Sequence, residues 1–265
     1  MNFALFKQEL KAGWKVFVII AAVLALYAAV IVYMYDPELS AALDDFYVSM
    51  PELMNLFGMT NGSSDLLGFL ISYLYGMLFL VLPLVMIILS ANRRMAAHCD
   101  RGSLAFLLAA PNTRRRVAAT EMWGLIFAIV LMVAYCAAVT IVCAALMFPG
   151  ELAIGEFLLV NAGLLCLQLF VGALCFTASC LSNDTRLSLL LGAGIPVLEY
   201  LILMLANMGG KLESLQYATF YSLFDAYGLA AGEGTALLMA AILLAAAILL
   251  YSLAVIIFCR RDLHI

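Results

Sequence analysis

The chain carries only two histidines, His98 and His264. Neither belongs to an H-E-x-x-H pair, so metalloprotease chemistry lacks its ligands. No G-x-S-x-G elbow presents a serine nucleophile. No G-x-x-x-x-G-K-[ST] loop offers backbone amides and a lysine to the phosphates of a nucleotide. The expectation is a chain that is not an enzyme by itself and binds no cofactor or metal. Cysteines fall at 99, 136, 143, 166, 175, 180 and 259, inside apolar runs or basic segments. That distribution predicts packing residues and no disulfide framework.

What remains is a small set of polar groups inside long apolar runs, where an ionisable side chain is costly and by default a functional suspect. Glu199 stands out, three residues after Pro196. It reads either as a contact for a cation or substrate at a broken helix, or as a residue packed against a neighbouring span. Asn161, Gln168 and Asn207 are further candidates for the same pathway, with helix-to-helix hydrogen bonding as the favoured reading of each.

The stretch 92–116 holds a different kind of signal, being basic at both ends and apolar in the middle. Leu104, Leu107 and Leu108 recur at i, i+3 and i+4, which makes one stripe of a short helix. Gly102 or Ser103 can open that helix, Pro111 ends it, and Asn112 or Thr113 can cap the next. An apolar stripe on a loop must bury against something, either a groove on a partner or the membrane surface.

The elements positioning these groups follow from composition. Of 265 residues, 67% are hydrophobic and 11% charged, with a mean hydropathy of +1.12; soluble domains carry roughly 25% charged residues. Nucleic-acid binding has no basic domain to rest on. Spans of roughly 20 apolar residues are predicted at about 16–35, 67–91, 118–147, 157–181, 187–208 and 236–258. This is an all-α integral membrane protein with six transmembrane helices in one domain over 1–265. The third run is long enough to project beyond the bilayer.

Six spans sort the connections onto two sides. Segments 1–15, 92–117, 182–186 and 259–265 carry 12 of the 13 Lys and Arg residues. The other side holds only Lys211, with 11 of the 17 acids. The excess of basic residues makes the first side cytoplasmic, with both termini there. Before the first span, Phe3, Phe6, Leu10 and Trp14 share one helical face beside Lys7, Lys11 and Lys15, which predicts an interfacial helix over 1–15. Met50, Leu53, Met54 and Phe57 predict a second amphipathic helix in the outer loop 36–66.

The run Asp100-Arg101-Gly102-Ser103-Leu104, then Leu107-Leu108-Ala109, Pro111 and Arg114, resembles a motif of ABC-2 type transporter permeases. The weaker matches Met50-Pro51-Glu52, Phe57-Gly58-Met59 and Phe224-Asp225-Ala226-Tyr227-Gly228-Leu229 are similar to the sodium- and drug-extruding bacterial branch. The resemblance implies that residues 100–111, with Arg114, form a coupling helix against a separate ATPase that holds ATP and Mg2+. It also implies a second permease copy or related permease, and export of an amphipathic or hydrophobic substrate or an ion. One departure is Thr120-Glu121, where members often carry a Lys. The alternatives are an ion-coupled secondary transporter and a membrane sensor or scaffold whose basic clusters contact lipid.

Overall fold

A computed structural model describes residues 3–35, 49–59, 65–100, 113–182 and 184–260. Among these there is no strand, and six helices are long and apolar enough to cross a membrane. Without water to satisfy exposed N–H and C=O groups, a spanning segment must close its own hydrogen bonds, and helix is the form in which one segment can do so. The elements are α1 (Phe3–Tyr33), α2 (Pro51–Leu56), α3 (Leu66–Leu70), a π-helical stretch Ile71–Leu78, α4 (Phe79–Arg94), α5 (Ala96–Asp100), α6 (Arg114–Met147), α7 (Ile154–Leu181) and α8 (Thr185–Asn207). Two 3₁₀ turns, Gly210–Ala218 and Phe220–Leu223, lead to α9 (Ala226–Ala230) and α10 (Gly234–Arg260).

Contacts between helix ends define an alternating bundle. At one end, Ala12 of α1 meets Arg93 of α4, Arg94 of α4 meets Glu121 of α6, and Ser179 of α7 accepts from Ala96 N at 3.0 Å. Asp100 meets Thr185 at the start of α8, and Arg260 of α10 lines a surface recess with Arg115 of α6. The start of α1, end of α4, start of α6, end of α7, start of α8 and end of α10 therefore share one end. At the other, Tyr35 packs on Phe148 and Phe69, with ring centroids 5.3 and 5.6 Å apart. The basic residues of these segments are thus gathered at the first end, as the charge count requires.

The first helix departs from expectation. Residues 3–15 are not a separate interfacial element: α1 runs unbroken for 31 residues, about 46 Å at 1.5 Å per residue. Its inward face near the start is set by buried Leu5 and Glu9, while Trp14 is exposed. Trp14, on the face expected to meet the membrane, thus stays outside the bundle, while Glu9 lies inside it. α6 has 34 residues, about 51 Å, and so projects past a 30 Å hydrocarbon core as expected.

Two prolines sit inside spans, and the middle helix α7 answers both. Pro83 has no N–H for the carbonyl of Phe79 four residues earlier. Gln168 Nε2 donates to that carbonyl at 3.1 Å and to Leu80 O at 3.3 Å. Pro196 likewise leaves Gly192 O open, and Cys175 Sγ donates to it at 3.0 Å. Residues 168 and 175 are seven apart, two helical turns on one face of α7. Cys175 is thus more than a packing residue. The cysteines at 136, 143, 166, 175 and 259 are free thiols.

Candidate functional site

The basic end of the bundle contains a buried charged junction built from three helices. Each member falls in register with its helix's packed stripe: Glu9 one turn after Leu5 on α1, Arg94 three residues after Ala91 on α4, Glu121 four after Val117 on α6. Arg94 Nη1 donates to Glu121 Oε2 at 3.2 Å, and their side chains are 3% and 1% exposed. Gly124, one turn further along α6, leaves the room that the Arg94 guanidinium fills: a Cβ there would collide with Nη1. Beside this pair, His98 Nε2 lies 3.4 Å from Glu9 Oε1. Arg93 turns away and donates to the Ala12 carbonyl on α1, over Gly13, where a side chain would meet its guanidinium.

This junction brackets the segment singled out by sequence. Arg101, Gly102, Ser103, Leu104, Leu107, Leu108 and Pro111, and with them the expected coupling helix, lie outside the described residues; the residues on either side of them are described. Upstream, Asp100 closes α5, and its carboxylate accepts from Thr185 Oγ1 at 2.8 Å, tying it to the start of α8. Downstream, Thr113 is extended and its Oγ1 accepts from Arg116 N at 3.3 Å, capping α6 one residue before Arg114. Capping at Thr113 matches one of the two positions the sequence offered.

The pathway candidates do not converge. Gln168 is 1% exposed and satisfies the backbone opened by Pro83. Asn161 bonds back to Phe157 O on its own helix at 2.8 Å, with its side chain beside the Tyr75 hydroxyl. Both act between or within helices. Asn207 lines a cavity of about 460 Å³ at the far end, together with Asn55, Gln216, Tyr221, Asp225 and Tyr227. Its size suits a small molecule. Close approach of Gly58, with φ +72°, to Gly76 in the π-helical stretch shapes one wall. Glu199 is half-buried on α8 and is not among that cavity's lining residues.

Sequence reasoning passed over Glu9, Arg94 and Glu121 as site residues. The charge count groups Arg94 with the topogenic residues, and the family resemblance marks Glu121 only as a departure from its pattern. The available signal was their phase: each charge sits where helical periodicity demands an apolar residue. No protein-family model and no curated protein matches this chain.

Proposed function

We propose that this chain is the membrane-spanning subunit of an ABC exporter, of the ABC-2 permease kind, with the basic end and both termini in the cytoplasm of a bacterial cell. Residues 100–111 act as a coupling helix docked on a separate ATPase, which holds ATP and Mg2+. The pathway forms between this chain and a second copy or a related permease, and the cargo is amphipathic or hydrophobic, or an ion.

The observation that carries this reading is the anchoring of the loop. Downstream of residues 101–112, α6 is held to α4 by the buried Arg94–Glu121 pair; upstream, α5 follows α4 directly, and Asp100 and Thr185 tie its end to α8. A push on such a loop is passed to α1, α4, α6 and α8 together, because packed interiors transmit displacement and do not absorb it. An ATPase needs a lever of that kind on a subunit without a nucleotide site.

The test is co-purification of the tagged protein from its native membrane in mild detergent, followed by mass spectrometry. A stoichiometric subunit with a phosphate-binding loop is expected, and Leu107→Asp should release it while the permease stays folded. Retention of the subunit by that variant would remove the coupling-helix assignment.

The second reading, an ion-coupled carrier, gains from the same junction, since Glu9, Arg94 and Glu121 are buried ionisable groups of the type proton and ion relays use. It expects Leu107→Asp to be silent and Glu121→Gln to abolish transport.

A further inference from the structure

Glu9, His98 and Glu121 come from α1, α5 and α6, and one ligand atom from each lies within 4.8 Å of the other two. No other group of three His, Cys, Asp or Glu side chains among the described residues is so arranged. Glu9 and Glu121 are 5% and 1% exposed. Within them, Glu9 Oε2 and Glu121 Oε1 are shielded from solvent and have no hydrogen-bond donor among the described residues. Two buried oxygens without a donor, on carboxylates that both stand beside one imidazole, call for a positive occupant.

We propose that Glu9, His98 and Glu121 form a transition-metal site, with Zn2+ as the fitting ion. Zinc bonds to imidazole nitrogen and carboxylate oxygen are about 2.0–2.2 Å, so neighbouring ligands in a tetrahedral shell stand about 3.3 Å apart. The His98 Nε2 to Glu9 Oε1 separation of 3.4 Å already has that value, and the Glu121 ligand atom lies within 4.8 Å of both. The imidazole selects against Mg2+ and Ca2+, which take oxygen shells. Neither arginine donates to Glu9 Oε2 or Glu121 Oε1. Arg94 Nη1 holds Glu121 Oε2, orienting the carboxylate and leaving Oε1 for the metal, and Arg93 reaches the Ala12 carbonyl. His98, with its side chain 22% exposed, marks the entry side. A bound ion would clamp α1, α5 and α6, the last two of which adjoin residues 101–112 in the chain, and this site stands independently of whether an ATPase docks there.

The experiment loads full-length protein, stripped with chelator in detergent, with Zn2+ alone and reads stoichiometry by elemental analysis and affinity by chelator competition. About one zinc per chain is expected, with H98Q and E9Q each weakening it at least 10-fold, and C99S and H264A leaving it unchanged. Absence of stoichiometric zinc in the folded wild-type protein would overturn the site and leave a proton as the occupant. Should a variant fail to fold, X-ray absorption on the wild-type zinc complex decides: a shell of nitrogen and oxygen is expected, and sulfur in it overturns the assignment.

Discussion

Arg94 at the end of α4 and Glu121 on α6 meet as an ion pair 3.2 Å long with both side chains almost fully shielded. Such a pair contributes little relative to apolar residues of similar volume, but removing one member strands the other charge at a penalty of about 3–5 kcal/mol. Glu121→Ala and Arg94→Ala are each expected to lower unfolding free energy by that amount in detergent titrations. The double variant R94M/E121L should recover most of the loss. Equal damage in the single and double variants would mean that packing, not charge, dominates at this position.

The pairing of α7 with the two prolines gives a sharper test. Gln168→Leu removes the donor that serves Phe79 O, left open by Pro83. A loss of about 1–2 kcal/mol is expected from the unsatisfied carbonyl. Pro83→Ala restores a backbone N–H for the same carbonyl, so Gln168→Leu should be milder in that background by about 1 kcal/mol. A double-mutant cycle measures this coupling, and strict additivity would break the link drawn between the two residues.

Much of the architecture was legible because membrane insertion leaves long, unambiguous marks. The runs ending near Met147 and Leu181 and starting near Thr185 are bounded where apolar residues give way to Pro, Gly or charge, and the helices end there. Asn161 and Gln168 bond within the bundle, as polar residues in a span must. The π-helical stretch Ile71–Leu78 had no such mark, because Ile-Ser-Tyr-Leu-Tyr-Gly-Met-Leu fits an ordinary helix equally well. It widens where Gly76 admits the backbone of Phe57 and Gly58 just after α2, a contact that the periodicity of a single helix does not reveal. Glu9 and Arg94 were hidden for another reason. Charge near a span end is ordinarily topogenic, and only tertiary contact distinguishes a buried pair from a solvated one.

At that wall, a Cβ added to Gly76 would stand 2.8 Å from Phe57 O and 3.0 Å from Gly58 O, both backbone atoms that cannot rotate aside. Gly76→Ala is therefore expected to lift the segment 51–59 and open the 460 Å³ cavity, with a stability loss of about 1–3 kcal/mol from overpacking. Hydrogen exchange should rise across residues 51–59 and stay unchanged near Glu121. Unaltered exchange in 51–59 would show that the helix can slide to accommodate a methyl group.

The last prediction concerns Glu199 and the proposed second copy. Its helix α8 is the least enclosed of the six spans, 22% buried over its apolar window against 61% for the helix Leu66–His98. Leu198 beside it is 57% exposed. Glu199 Oε2 is shielded and has no hydrogen-bond donor among the described residues. An acid on so open a helix is costly against lipid, and a second membrane-embedded surface over α8 relieves that penalty. A short bismaleimide is therefore expected to cross-link Leu198→Cys protein into dimers in native membranes. Leu238→Cys on α10, 61% exposed, should remain monomeric. Glu199→Gln should leave the fold of the single chain within about 0.5 kcal/mol of wild type, since no ion pair is lost, while weakening the dimer. Cross-linking through Leu238 and not Leu198 would move the interface to α10 and leave Glu199 facing lipid.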